Sequence, residues 1–281
     1  MNDPTIQTAS MADRADRHRL YEASVQDTES ELEFVAETFQ ALTGRPLRLL
    51  REDFCGTANT ACDWVRKHPA NRALAVDLDQ SVLEWGRRNH LSGLDADARS
   101  RIDVVHADVM AVSEPKADAI IAMNFSYYLF KTREQLKAYF KHCLHNLVGD
   151  GVLIMDSFGG FEAHRELEES TEYDDFTYVW DQHHFDPITH DTICQIHFEF
   201  PDGSTLRRAF EYHWRLWTLP EIQELLHEAG FNDVGVYWEG TDEETGEGDG
   251  VYTRQAHGEA DAGWIAYIVA RQTSHSEETA R

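Results

Sequence analysis

The sequence predicts an α/β protein: a doubly wound, mostly parallel seven-stranded sheet carrying an inserted antiparallel β hairpin or meander. Three observations predict it. Short apolar runs alternate with amphipathic stretches over residues 46–160. A parallel strand covered on both faces reads as a continuous apolar run, and a crossover helix is needed to reach its neighbour. Period-two aromatic alternation replaces that pattern over 161–217, and strand–helix alternation resumes from Thr218.

The elements follow in order. Residues 1–27 read as a polar arm in which Tyr21 is the only aromatic residue. Asp27–Ser30 supplies capping side chains, Leu32, Val35, Phe39 and Leu42 keep helical spacing, and Gly44 with Pro46 stops the helix. Residues 1–45 thus form an N-terminal arm and helix. Pro46–Arg51 is the first strand candidate, and Glu52-Asp-Phe-Cys-Gly-Thr-Ala58 leads into a helix ending near Lys67. Ala73–Asp77 is a second strand, with Asp79 placed to cap a helix that holds Val82, Leu83, Trp85 and Leu91. Ile102–His106, Ala117–Asn124 and Val152–Asp156 follow as strands, the last two joined by a helix over Glu134–Leu147 and a turn at Gly149–Gly151.

Within 161–217, Phe176, Tyr178 and Trp180 alternate, then Cys194, Ile196, Phe198 and Phe200, then Phe210, Tyr212, Trp214 and Leu216. The turn Pro201-Asp-Gly-Ser204 joins the second and third runs, which reads as a three-stranded antiparallel insertion. Thr218-Leu-Pro-Glu caps a helix that ends at Gly230. Asp233–Trp238 and Trp264–Ala270 complete the sheet, with an exposed acidic loop over Gly240–Gly250 between them and a polar tail over 272–281. The core therefore comprises 46–160 and 218–271, with 161–217 inserted as a cap.

Charge narrows the partners. With 51 acidic and 25 basic side chains the chain carries a formal charge of −26, which repels phosphate backbones and anionic membranes. Neither nucleic acid nor membrane is expected as a partner. The polar start Met1–Ala12 has no apolar signal core. The four cysteines, Cys55, Cys62, Cys143 and Cys194, form no C-x-x-C pair and read as buried thiols of a cytoplasmic protein. His183-His184 with Asp186 and His190 matches no zinc or iron spacing, so no metal is expected. A small-molecule substrate and a monomeric or homodimeric state are expected.

The chemistry concentrates in Glu52–Ala58, because ligands of doubly wound sheets sit outside the carboxyl ends of the strands. A pyrophosphate needs G-x-G-x-x-G, and this loop holds only Gly56 of that set. The cluster Gly246-Glu-Gly-Asp-Gly250 is acidic and precedes no helix. A dinucleotide is therefore disfavoured.

The order of an acid, a loop and a glycine, then Val76-Asp77, then Ala107-Asp108, resembles the class I S-adenosylmethionine-dependent methyltransferases over residues 46–160 and 218–271. The usual first motif of that family is acid-x-Gly-x-Gly-x-Gly. Here Glu52 matches the acid and Gly56 the central glycine, while Phe54 and Ala58 stand in the outer glycine positions. The resemblance implies S-adenosylmethionine as cofactor, which carries an ammonium and a sulfonium but no phosphate. It further implies that Glu52 orients the loop and the amino-acid end, with Phe54, Gly56, Thr57 and Ala58 contributing the loop itself. Asp77 would take the ribose hydroxyls beside Leu78, Asp108 the adenine amino group beside Val109, and Asn124 would face the methyl-transfer position. Tyr21 is a further cofactor candidate, on an arm folding over the methionine end. Each carries a structural alternative: Asp77 and Asp79 as helix caps, Asp108 as a turn residue, Glu52 as a partner of Arg51, and Phe54 and Tyr21 as packing rings.

Methyl transfer rests on positioning and desolvation, so the family has no universal catalytic residue. Asn124, Tyr127, His183 and His213 are the catalytic candidates, and Tyr128, Phe158, Tyr212, Trp214 and Arg215 the substrate-binding ones. On a strand Tyr212 and Trp214 share one face and His213 and Arg215 the other, so one set alone can face a pocket. Methyl transfer to nitrogen or oxygen of a small molecule is the reading. Two alternatives keep the fold: a non-catalytic S-adenosylmethionine-binding regulator, and an enzyme that transfers or alters another group of the donor.

Overall fold

The structure is a computed structural model and describes residues 9–241 and 248–273. In chain order the helices and strands are α1 (Met11–Arg14), α2 (Arg17–Val25), α3 (Thr28–Thr43), β1 (Leu49–Asp53), α4 (Asn59–Lys67), β2 (Arg72–Asp77) and α5 (Gln80–Asn89). There follow α6 (Ala96–Arg99), β3 (Ile102–His106), β4 (Ala117–Ala122), α7 (Arg133–Asn146), β5 (Leu147–Gly159), β6 (Leu167–Glu172), β7 (Thr177–Phe185) and β8 (Asp191–Glu199). The last are β9 (Thr205–Arg215), α8 (Leu219–Ala229), β10 (Asp233–Thr241), β11 (Gly248–Gln255) and β12 (Trp264–Arg271). The chain forms two units, Met1–Asp27 with Glu162–Leu216, and Thr28–Phe161 with Trp217–Arg281. Among the described residues no helix is long and apolar enough to cross a membrane.

The larger unit is built on one sheet in the order β11-β10-β12-β5-β4-β1-β2-β3. Strands β1 to β5 pair in parallel, and β12, β10 and β11 add antiparallel pairs. Strand order reverses between β1 and β4, which places a cleft at their carboxyl ends. The strands there are buried on both sides. Ala119 and Ile121 of β4 join a core with Leu32, Val35 and Phe39 of α3 and Ala61, Cys62 and Val65 of α4. Ile120, also fully buried, points to the opposite face by alternation. On α7, Leu136, Tyr139, Phe140 and Cys143 are buried, and its Arg133 and Lys137 pair with Glu228 of α8. All four cysteines are buried free thiols.

The sheet has eight strands rather than the expected seven. The extra one, β11, begins at Gly248 inside the segment expected as an exposed loop, of which 242–247 lie outside the described residues. Its side chains are almost all exposed, so it has no apolar face to betray it. It forms because β10 offers a backbone edge and because Glu239 accepts from Gly250 N–H (3.0 Å) and from the Tyr252 hydroxyl (3.3 Å).

The smaller unit holds the antiparallel sheet β6-β7-β8-β9, four strands against an expected three. The unexpected one, β6, reads Leu-Glu-Glu-Ser-Thr-Glu and is an exposed acidic edge, a composition that discourages pairing with another chain. The arm also differs from expectation. Its helices are capped by Ser10 and Asp16, and Leu20, Tyr21 and Val25 pack on Ile196, Phe198 and Ala209 of the sheet. Met11 N–H and Ala12 N–H bond to Asp202 and Ser204 in the Pro-Asp-Gly-Ser turn. Residues up to Asp27 thus group with the insertion, whereas the sequence reading keeps 1–45 together.

One buried ion pair fixes the loops of the larger unit. Arg51, fully buried, meets Asp53 Oδ1 at 2.6 Å and donates to the carbonyls of Val112 (2.7 Å) and Val109 (2.9 Å). Tyr139 donates to Asp53 Oδ2 at 3.0 Å. Arg51 therefore pairs with the residue two positions on, not with Glu52, as strand alternation requires. Replacing Arg51 with Met leaves Asp53 as an uncompensated buried charge, and we expect a loss of about 3–5 kcal/mol in urea unfolding.

Candidate active site

The loop after β1 turns through left-handed backbone at every second residue: Phe54 (φ 59°), Gly56 (φ 54°) and Ala58 (φ 58°). Only glycine takes that conformation without strain, so two of the three positions need external support. A Cβ added at Gly56 meets no protein atom within 4 Å. The glycine thus serves the backbone conformation and leaves the space above it open. Phe54 packs its ring on Tyr139 and Phe130, and Thr57 is buried.

Support comes from carboxylates. Glu52, buried at the end of β1, accepts Ala61 N–H at 3.0 Å and so caps α4, whose own N-cap residue Ala58 has no side chain to do it. Asp77, at the tip of β2, accepts Gly56 N–H through Oδ2 and Asp79 N–H through Oδ1, both at 2.8 Å. One side chain thereby holds the β1 loop and the β2 turn together. Asp79 is the N-cap of α5. Asp108 is exposed and caps the short turn that follows it through Met110 N–H at 2.9 Å. Val109 is buried, and its carbonyl is the one Arg51 holds. Leu78, between Asp77 and Asp79, is 68% exposed, a large apolar side chain standing at the carboxyl edge of the sheet.

Helix α5 presses on the first loop at Gly86, where any Cβ would strike the Thr57 carbonyl. Glycine inside a helix is otherwise unfavourable. The sequence analysis does not single Gly86 out; its lone glycine in a Trp85-Gly-Arg87 helical stretch was the available signal.

After β4 the backbone is left-handed at two successive non-glycine residues, Asn124 (φ 55°) and Phe125 (φ 57°). Asp156 of β5 accepts both amides, Asn124 N–H at 2.7 Å and Phe125 N–H at 2.9 Å. Tyr127 and Tyr128 are fully buried. Their hydroxyls bond to the Asp156 carbonyl (2.8 Å) and to Ser157 Oγ (2.7 Å). Tyr127 is a catalytic candidate of the sequence and Tyr128 a substrate-binding one; both side chains lie in the interior with their hydroxyls tied to β5. Phe158 is half-buried against Phe125, with ring centroids 4.7 Å apart.

The carboxyl ends of β1 and β2, the turn after β3 and strand β5 therefore present Glu52, Asp77, Asp108 and Asp156 respectively. Two of them are strongly desolvated. Desolvation pushes Glu52 up to about 8, against its bonds from Ala61 and Thr60. Burial pushes Asp156 up to about 7, against the two amides it accepts. Asp77 and Asp108 are less buried than Glu52 and Asp156.

The remaining candidates lie in the smaller unit. Tyr21 packs on Phe210 at 4.9 Å between centroids and hydrogen-bonds Tyr212. Tyr212 stacks on Trp214 at 4.4 Å, with Trp180 alongside. His183 is exposed beside Asp181 (3.4 Å) and His213 is exposed beside Glu211 (3.1 Å). Arg215 is half-buried at the end of β9. The sequence analysis missed His197, which is buried with Asp181; their nearest atoms are 3.3 Å apart. Glu168, Asp181 and His197 offer ligand atoms within 4.8 Å of one another. His197 Nδ1, however, accepts Arg208 N–H at 2.8 Å, so a neutral ring carries its proton on Nε2 and donates to Asp181. That tautomer presents no lone pair to a cation.

The fold of the chain is that of class I S-adenosylmethionine-dependent methyltransferases. An S-adenosylmethionine-dependent methyltransferase from Clostridium acetobutylicum is similar at 18% identity, over 91% of this chain and 98% of that one, with a TM-score of 0.64. DesVI of Streptomyces venezuelae is similar at 17% identity over 92% and 99%, with a TM-score of 0.66. The sugar N-methyltransferase KedS8 of Streptoalloteichus is similar at 16% identity over 97% and 98%, with a TM-score of 0.61. No protein-family model matches the chain, and no curated protein matches it.

Two outcomes follow from this geometry. Glu52 has its folded value raised above the unfolded one, so the stability it contributes is full below about 4.5 and is lost as pH rises towards about 8. We expect the urea midpoint to fall across that window, and Glu52→Gln to flatten the slope. Gly86→Ala should destabilise the protein by about 1–3 kcal/mol through overpacking, although alanine is the better helix former by about 1 kcal/mol; thermal unfolding checks it.

Proposed function

We propose that this protein is an S-adenosylmethionine-dependent methyltransferase acting on a nitrogen or oxygen of a small molecule. The observation that carries the reading is a pair of carboxylates, Asp77 at the tip of β2 with the exposed Leu78 next to it and Asp108 in the turn after β3, beside a loop that lacks the glycine pattern of a phosphate nest. A donor with an ammonium and a sulfonium fits such a field, whereas a pyrophosphate is repelled by it. Asp77 would receive the ribose hydroxyls, Leu78 would cover a face of the adenine, and Asp108 would take its amino group. Glu52 sets the loop carrying Gly56, Thr57 and Ala58 around the amino-acid end. Asn124 lies at the methyl end and Phe158 at the acceptor side.

When bound, the donor supplies an electrophilic methyl carbon. The chain's part is to hold that carbon in line with a nucleophile and to keep water away from it. A nitrogen acceptor is favoured over oxygen, since several similar structures are described as N-methyltransferases: KedS8 of sugars and MtfA of a glycopeptide. The amino pentose enzyme CalS10 is a further similar structure. His183, His213, Tyr212, Trp214 and Arg215 of the smaller unit remain candidates for acceptor recognition, and Tyr21 is better explained as a packing ring of that unit.

Calorimetry with S-adenosylhomocysteine tests the donor site. Wild-type protein should bind it, and Asp77→Ala should weaken binding by about tenfold or more, the worth of a charge-assisted hydrogen bond. Incubation with methyl-labelled donor and a panel of amino sugars should yield labelled product. Binding without any labelled product from a broad metabolite extract would favour the non-catalytic alternative.

A further inference from the structure

We propose that Asp156 is a positioning residue for methyl transfer, which fixes the Asn124–Phe125 turn at the methyl end of the donor by accepting both of its backbone amides. The inference rests on the donor-site reading above. Two consecutive left-handed non-glycine residues are unfavourable. Within the turn Ser126 bonds through its hydroxyl to the Met123 carbonyl (2.8 Å) and Tyr128 N–H to the Phe125 carbonyl (2.9 Å), and the Asn124 and Phe125 amides are held from outside it. Asp156 holds them from the neighbouring strand. Its two oxygens take one amide each, at 2.7 and 2.9 Å, a two-point grip that fixes the direction of the turn as well as its position. Asp156 is 8% exposed, so the bonds act in a site poor in competing water. Its own main chain is anchored too, through the Tyr127 hydroxyl on the Asp156 carbonyl.

The grip requires an anion. A protonated carboxyl turns one acceptor into a donor aimed at an amide N–H. Burial has raised Asp156 to about 7, so the grip loosens as pH falls below neutrality. The titratable groups facing it are Tyr127 and Tyr128 from the turn after β4, Tyr252 of β11, and Tyr267, its register partner on β12. Burial raises Tyr127, Tyr128 and Tyr252 above the ordinary tyrosine range. A transition near neutrality at this turn is therefore that of Asp156.

The test uses S-adenosylhomocysteine binding to the full chain between pH 6 and 8, with amide proton shifts of Asn124 and Phe125 read by NMR. In wild-type protein both amides should titrate together near pH 7, and affinity should drop as pH falls. Asp156→Asn keeps the shape but retains one acceptor. It should weaken binding about tenfold at pH 8 and remove the transition near 7, while Glu52, titrating near 8, affects both profiles alike. A purely packing role would lower thermal stability while leaving the pH profile of binding as in wild type. Binding by Asp156→Asn within twofold of wild type, or Asn124 and Phe125 amides that do not titrate together in wild type, overturns the inference alone. Wild-type protein that binds no S-adenosylhomocysteine overturns the donor reading, and this inference with it. The wild-type titration needs no variant, so the inference stays testable even if Asp156→Asn does not fold.

Discussion

Where parallel strands end, the chain must turn sharply, and the backbone amides it frees must find acceptors. In this protein the acceptors are carboxylates carried by the strands themselves. Asp77 reaches across from β2 to the Gly56 amide, Glu52 reaches forward to Ala61, and Asp156 reaches from β5 to Asn124 and Phe125. Each bridges two segments that are distant in sequence or differ in direction. The carboxyl edge of the sheet is thereby one hydrogen-bonded surface, and the loops along it inherit their shape from the strand order.

This construction has an electrostatic consequence. Four carboxyls gather at one edge, and mutual repulsion together with burial would be costly were all of them ionised. The protein resolves this by burial depth: Glu52 and Asp156 sit deep, where desolvation holds their protons more tightly. Asp77 and Asp108 sit shallower at the same edge. The departure from the glycine-rich first loop of the family that the sequence resembles fits the same logic. With Asp77 and Glu52 holding the loop, Phe54 and Ala58 sustain a left-handed backbone that elsewhere calls for glycine.

The smaller unit follows different physics. Its sheet buries an aromatic face, Phe198 and Tyr212 among others, beneath α2. At a bulge between β8 and β9, Arg208 adopts a left-handed conformation and its amide fixes the tautomer of His197. Here too an irregular backbone position and a titratable side chain determine each other. The His197–Asp181 pair is consequently a hydrogen-bonded arrangement with an assigned donor.

The amino-acid order by itself determined the central strands, α4, α5, α7 and α8, and the places of Glu52, Gly56, Asp77 and Asp108, because apolar periodicity and loop composition are local properties. The Arg51–Asp53 pair was also within reach, since residues two apart share a strand face. Edge strands β6 and β11 were not legible: with exposed polar side chains they carry no periodic signal, and they exist because a neighbouring backbone edge is available to pair. The helical, docked state of residues 11–25 likewise needed the sheet beneath it. Only the tertiary structure decided what Asp156, Gly86 and Tyr127 do. Their partners, the Asn124 and Phe125 amides, the Thr57 carbonyl and the Asp156 carbonyl, stand about thirty residues away in the chain. Residues so separated meet because parallel pairing aligns the carboxyl ends of β1, β4 and β5, an alignment set by the sheet as a whole.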